Sequence, residues 1–243
     1  MRISGSGEGL PVVQKLAEAY TRERGDARIE FAAGVNTGGA IRGVAQGTLD
    51  LAVSARPLSP EEAREALVSR PFARDAVVFA VRLPNPVLGL STSQVRAIYG
   101  GIATNWQQIG GPAEPIIVLN RNEGDSGHGV LMKIMNGQPV RARTVVLNKS
   151  KDMVAALEST PYALGYAAAG LLRIYQARNV RVLALDSVMP SADSIARGTY
   201  PWHLTYALIS RRDASPAVAR FVDFAAGPAA LPVLKEYGYA AGR

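Results

Sequence analysis

The chain has 243 residues, 48% apolar and 19% charged, a globular composition with room for one large domain or two ordinary ones. It contains no cysteine, which excludes disulfides, thiolate metal sites and a cysteine nucleophile, and no apolar run is long enough to read as a membrane span. The net charge of +7 is spread without a basic cluster, which argues against a nucleic-acid partner and favours an anionic small ligand.

The chain opens directly on a strand, Arg2-Ile3-Ser4, with no signal peptide; export would mean that a leader has been lost before Met1. The loop Gly5-Ser6-Gly7-Glu8-Gly9 follows. A helical stripe then runs from Pro11 to Arg24 with Val12, Val13, Leu16, Ala17 and Tyr20 on one face, proline at its start and Gly25 at its end. The glycine spacing is not the dinucleotide fingerprint, because the third glycine and the later acidic residue are missing. Residues 28–33 alternate as a second strand. Gly34-Val35-Asn36-Thr37-Gly38-Gly39 is a second polar loop, with a helix from Ala40 to Gln46. Leu51-Ala52-Val53-Ser54 is a third strand, left through Ala55-Arg56-Pro57-Leu58. Ser59-Pro60-Glu61-Glu62 has the pattern of a capping box, predicting a helix to about Ser69. Ala76 to Val81 is a continuous apolar strand, hence buried on both faces. Strands alternating with helices imply a mainly parallel sheet.

Leu83-Pro84-Asn85-Pro86 reads as a break and a linker. Ser91 to Gln94 caps a helix bearing Val95, Ile98 and Tyr99, which Gly100-Gly101 ends. Strands are expected at 116–119, 144–147, 161–166, 180–185 and 200–209, and helices at 151–157 and 171–177. Two more helices follow Ser215-Pro216 and Pro228. The stretch that organises the second half is Arg121-Asn122-Glu123-Gly124-Asp125-Ser126-Gly127-His128, a polar loop between an apolar strand and the start of a helix near Val130. Unpaired N–H groups at a helix start, a serine hydroxyl and the forked cation of Arg121 together suit an oxyanion. The same loop, taken alone, also fits an ordinary turn with a solvated arginine.

Several stretches come in a telling order: Ser4-Gly5-Ser6-Gly7, Thr37-Gly38-Gly39, Asp50 to Leu58, Gly101-Ile102-Ala103-Thr104-Asn105-Trp106 with Ile109-Gly110-Gly111, Arg121 with Ser126-Gly127, Ala163-Leu164-Gly165-Tyr166, and Tyr237-Gly238-Tyr239. The series, covering nearly the whole chain, resembles the phosphate-type periplasmic substrate-binding proteins of bacterial ABC transporters. The resemblance implies an α/β, two-lobed type II periplasmic-binding-protein fold, each lobe a mainly parallel sheet flanked by helices, joined by two crossing strands. Lobe one would be 1–80 plus 204–243 and lobe two 81–203, with a ligand cleft between them. It implies a monomer, periplasmic or extracellular, that takes up phosphate or a related oxyanion for an ABC transporter permease, with no cofactor, metal or nucleic acid. Carried over residue by residue, the ligand-binding positions are Gly7, Glu8, Thr37, Ala55, Arg121, Ser126, Gly127 and His128.

The departures from the family pattern matter. Glu8 replaces a small residue and Ala55 an aspartate or serine; His128 replaces threonine, and Asp125 looks inserted. Glu8 also fits a solvated first-turn acid, and His128 a solvated loop histidine; Trp106, Trp202 and His203 fit packing roles. Phosphate keeps a proton at neutral pH, so a selective site needs an acceptor. Ala55 has none, and Glu8, ahead of Asp125, is expected to take that role. Two other functions compete. One is a sensor or scavenger of the same fold. The other is a hydrolase using Ser126 and His128, a weak pair because near neighbours on a loop rarely align. The chain has two histidines and lacks a nucleophile elbow, so no catalytic residue is assigned.

Overall fold

The computed structural model describes residues 1–25, 28–33 and 35–242. In chain order its elements are β1 (Arg2–Gly5), α1 (Leu10–Glu23), β2 (Glu30–Phe31), α2 (Thr37–Ala45), β3 (Leu51–Ser54), β4 (Leu67–Arg82), β5 (Gly89–Leu90), α3 (Thr92–Tyr99), β6 (Ile117–Arg121), α4 (Ser126–Ile134), β7 (Thr144–Leu147), α5 (Ser150–Ser159), β8 (Ala163–Ala168), α6 (Ala169–Ile174), β9 (Val180–Val182), β10 (Ala184–Leu185), α7 (Ala192–Ala196), β11 (His203–Arg211), α8 (Pro216–Ala226), α9 (Leu231–Glu236) and β12 (Ala240–Ala241). The chain folds as two compact units, Met1–Asp75 with Leu204–Arg243, and Ala76–His203. β4 and β11 each carry the chain from one unit to the other.

In the first unit β2, β1 and β3 are parallel neighbours, and β11 runs antiparallel beside β3, with Leu208 opposite Val53. β12 pairs antiparallel with the first part of β4. β1 and β3 are buried almost throughout, as strands covered on both faces must be. α1 buries Val12, Val13, Leu16 and Tyr20. Tyr20 meets Phe221 of α8 edge-on at 5.3 Å. Ala40, Ile41 and Val44 of α2 pack with Ala52, Ala207 and Ile209. Gly5 permits a close strand approach: a Cβ there would lie 2.2 Å from the Val53 carbonyl oxygen.

In the second unit β8, β6 and β7 are parallel, and the second part of β4 pairs antiparallel with β8 and with β9. Each sheet is therefore mixed, with a parallel heart and antiparallel additions. Phe79, Tyr99 and Tyr166 form an aromatic cluster with centroids 6.1–6.3 Å apart. Trp106 is fully buried and donates from Nε1 to the Tyr162 carbonyl at 2.8 Å, a packing role.

Two expectations need correction. The helix expected to about Ser69 is a single turn, Glu62–Arg64, and β4 begins at Leu67. The capping box is present: Ser59 N–H donates to Glu62 at 2.7 Å and Glu62 N–H to Ser59 Oγ at 3.2 Å. That turn buries none of its residues, so no apolar face holds a longer helix. The second correction concerns Leu83-Pro84-Asn85-Pro86, which lies within the second unit and links no units. Leu83 N–H donates to the Asn179 carbonyl at 2.8 Å, and Asn85 is buried. Gly34, which opens the second polar loop in the sequence, lies outside the described residues.

Candidate functional site

The best-developed polar cluster of the second unit stands at the carboxyl ends of the parallel strands β6 and β7. β6 ends on Arg121, whose side chain is only 7% exposed. Its guanidinium donates from Nη1 to the Leu147 carbonyl at 2.9 Å, and from Nη2 to Asp125 at 2.6 Å and Ser150 Oγ at 3.2 Å. Its Nε is buried and meets no hydrogen-bond partner among the described residues. An arginine has five N–H donors, and a buried donor without an acceptor is costly. The fork is therefore held in place on one side and still able to donate from Nε.

Asp125 is the residue that organises this loop. It caps α4 from an extended backbone, accepting from Gly127 N–H at 3.0 Å and His128 N–H at 3.2 Å through Oδ1, while Oδ2 takes Arg121. The helix thus starts at Ser126, four residues before the expected start near Val130, because an aspartate at the cap satisfies two first-turn donors. The apparent insertion is a cap and a counterion at once, with both oxygens committed.

Beneath Arg121 lies a network that the sequence reading missed. Arg121 N–H donates to Asn120 Oδ1 at 2.9 Å and to Tyr166 Oη at 3.1 Å, and Tyr166 Oη donates to the same Asn120 oxygen at 2.8 Å. His128 Nδ1 lies 3.3 Å from Asn120 Oδ1 and 3.4 Å from Tyr166 Oη. His128 is 7% exposed, so the solvated-histidine alternative does not hold. Burial lowers its pKa from the ordinary histidine value, against the opposing pull of Asp125 and Glu123. Ser126 is half-buried and makes no hydrogen bond to His128; the imidazole engages Asn120 and Tyr166 instead. The signals for these partners were present: Asn120 and Tyr166 each close an apolar strand pattern, where a polar residue at a carboxyl end faces a site.

The first unit presents its own polar loops at the carboxyl ends of β1 and β3 and at the start of α2. Gly7 is exposed and Glu8 is 4% exposed, so Glu8 is not the solvated acid that was one alternative. Glu8 N–H donates to Ser6 Oγ at 3.3 Å. Thr37 is the first residue of α2 and is buried, and Asn36 caps that helix by accepting from Gly39 N–H at 2.8 Å. Ala55 is buried and brings no polar side-chain atom. The residue after it does: Arg56 pairs with Glu62 through two bonds of 2.7 and 2.8 Å. Arg56 also borders the α2 start, where a Cβ on Gly38 would lie 3.7 Å from its Nη2 and from Arg42 Nη1. Among the described residues no group of three or more His, Asp or Glu side chains is placed to hold a metal ion.

A family model described as a PBP superfamily domain matches residues 1–229. Among curated relatives, the phosphate-binding protein PstS of Bacillus subtilis is 26% identical over 226 residues, 92% of this chain and 74% of the relative. The PstS of Borreliella burgdorferi is 20% identical over 246 residues, 98% of this chain and 88% of the relative. Among solved structures, a phosphate-bound chain from Clostridium perfringens, described as a phosphate ABC transporter substrate-binding protein, superposes with a TM-score of 0.86. It is 21% identical and covers 100% of this chain and 99% of its own. An ABC-type phosphate transport receptor from Vibrio cholerae has a TM-score of 0.74 at 24% identity, covering 99% of each chain.

Proposed function

Because the chain belongs to the PBP superfamily, we propose that it is a solute-binding protein that captures phosphate, or a related oxyanion, and delivers it to an ABC importer. The observation that carries this reading is Arg121: a buried guanidinium, clamped by a backbone carbonyl, a carboxylate and a hydroxyl, with Nε left to donate. A pre-oriented guanidinium with a donor to spare suits an oxyanion, whose lone pairs accept charge-assisted N–H bonds. The proposed ligand groups are Arg121, Ser126, Gly127 and His128 from the second unit, and Gly7, Glu8, Thr37 and Ala55 from the first. Phosphate is the anion named because the relatives above are named as phosphate-binding proteins. The reading includes no catalysis, a monomer, a permease as partner, and a periplasmic or extracellular place of work.

The hydrogen bonding of His128 supports binding over hydrolysis, since a serine nucleophile needs its base within hydrogen-bond reach. Capture by a sensor or scavenger would use the same chemistry; finding a co-transcribed permease gene would assign the chain to import. Titration calorimetry of the purified protein with phosphate, sulfate and a neutral sugar tests the reading. Saturable phosphate binding with no sugar response supports it; absence of any oxyanion binding overturns it.

A further inference from the structure

β7 closes one end of the second unit's sheet: it pairs with β6, and no strand lies beyond it among the described residues. The strands beside it are closed in, β8 at every residue and β6 at all but Ile117. β7 is open on both faces, because Val145 is 50% and Val146 51% exposed and adjacent strand residues point to opposite faces. An edge strand also presents unpaired N–H and C=O groups along its free side. Apart from the Leu147 carbonyl, which takes Arg121 Nη1, no backbone group from Thr144 to Leu147 has a partner outside the β6–β7 ladder among the described residues. Proteins usually blunt such an edge by shortness, an internal charge, a proline or a bulge. β2, the end strand of the first unit's sheet, is two residues long and carries Glu30. β7 uses none of these devices: Thr144-Val145-Val146-Leu147 has no charge and no proline, and its register against β6 is unbroken. Its charges stand at the two ends instead. Arg141 and Arg143 precede it and Lys149 and Lys151 follow it, all four exposed and none in an ion pair among the described residues. The nearest acids along the chain are Asp125, committed to Arg121, and the half-buried Asp152.

We propose that the β7 edge is a docking strand for an acidic, extended segment of a partner protein, which adds to the sheet beyond β7 and sets its carboxylates against Arg141, Arg143, Lys149 and Lys151. Backbone hydrogen bonds along the free edge supply the attachment. Val145 and Val146 give the incoming side chains an apolar neighbour on each face of the sheet. Charge selects the occupant. A second copy of this chain is the poorer fit: paired antiparallel, it brings the arginines of one β7 towards the lysines of the other, and paired parallel it sets arginine against arginine. Either way like charges face each other, which destabilises a cross-strand pair. Charges flanking an apolar strand thus hold copies of this chain apart. An acidic strand turns each of those repulsions into an attraction, while a neutral one gains the backbone bonds alone. The proposal is independent of oxyanion capture, since none of these residues is among the proposed ligand groups.

The probe is a synthetic octapeptide, capped at both ends, with Thr-Val-Thr-Val at its centre and Asp-Glu at each end. One control replaces the end residues by lysine, and another keeps the acidic ends but places a proline in the centre, where it cannot extend a ladder. Each is titrated into the whole chain at fixed ionic strength and followed by amide nitrogen-15 correlations and hydrogen exchange. The acidic peptide should saturate, shift the amides of residues 143–148 most and slow exchange along β7. The proline peptide, equal in charge, should bind about tenfold or more weakly. Arg143→Glu with Lys149→Glu, at two exposed positions, should lose about tenfold of the affinity for the acidic peptide and gain binding of the lysine-ended one. No saturable binding, equal binding of the proline peptide, or shifts centred away from β7 would each overturn the proposal. So would concentration-dependent self-association that shifts the β7 amides without peptide, which would make the occupant a second copy. Failure of phosphate to bind would overturn the capture reading and leave these outcomes unchanged.

Discussion

At the scale of single residues, Arg121 is both a ligand group and a strut. Its Nη atoms tie the ends of β6 and β7 to the start of α5 through Leu147 and Ser150, while Nε stays available. Truncating it removes a charge-assisted donor and also strands Asp125 with an unpaired carboxylate oxygen. Arg121→Ala should therefore weaken phosphate binding by about 2–5 kcal/mol, and lower folding stability by about 1–3 kcal/mol. Calorimetry and urea unfolding measure the two losses separately. Unchanged affinity in a folded variant would mean that the guanidinium is purely structural. Glu8 belongs at the same scale. It is a buried acid in the first loop, and the acceptor expected to take the proton of a protonated phosphate. Glu8→Gln is isosteric and exchanges an acceptor oxygen for a donor. The phosphate-over-sulfate ratio in competition calorimetry should narrow by about tenfold; an unchanged ratio removes Glu8 from the site.

At the scale of elements, most helices and strands were legible because their apolar periodicity and capping residues agree. α1 follows its stripe of Val12, Val13, Leu16 and Tyr20, and α3 follows its Ser91–Gln94 box. The segment after Ser59 misled because a cap motif names a helix start without supplying the face that sustains it. Asp125 misled in the opposite sense: it looked like an insertion and a second candidate acceptor for phosphate's proton, and its pairing with Arg121 depends on a turn that spacing does not reveal. Asn120 of β6, Ser150 of α5 and Tyr166 of β8 come together around Arg121; the strand patterns mark Asn120 and Tyr166 as polar residues near strand ends, but no local pattern announces that the three meet. Asp125→Ala deletes the α4 cap and the partner of a buried guanidinium. It should cost about 1–2 kcal/mol for the cap alone, read as a lower urea midpoint with an unchanged slope. Asp125→Asn, which keeps a cap acceptor, should recover much of that loss. Full stability in Asp125→Ala would show that the cap is replaceable by water.

At the scale of the whole molecule, the first unit is built from two separated pieces of chain, Met1–Asp75 and Leu204–Arg243, between which the second unit is inserted. β3 must find β11, and the first part of β4 must find β12, across more than half the sequence. Long-range pairing of this kind leaves stability sensitive to anything that binds the native state alone. The net charge of +7 will draw any anion weakly, and that attraction is screened beyond about 8 Å at physiological ionic strength. A specific site behaves differently. Phosphate at about a hundredfold over its Kd should add about 2.7 kcal/mol by mass action. In a chain of this size that raises Tm by roughly 5–10 °C. The shift should persist at physiological salt, where diffuse attraction is screened, and should nearly vanish in Arg121→Ala. Differential scanning fluorimetry with phosphate, sulfate and chloride at matched ionic strength separates the two cases. Equal shifts for all three anions, or a shift lost on adding physiological salt, would reduce the effect to net charge and remove the argument for a built oxyanion site.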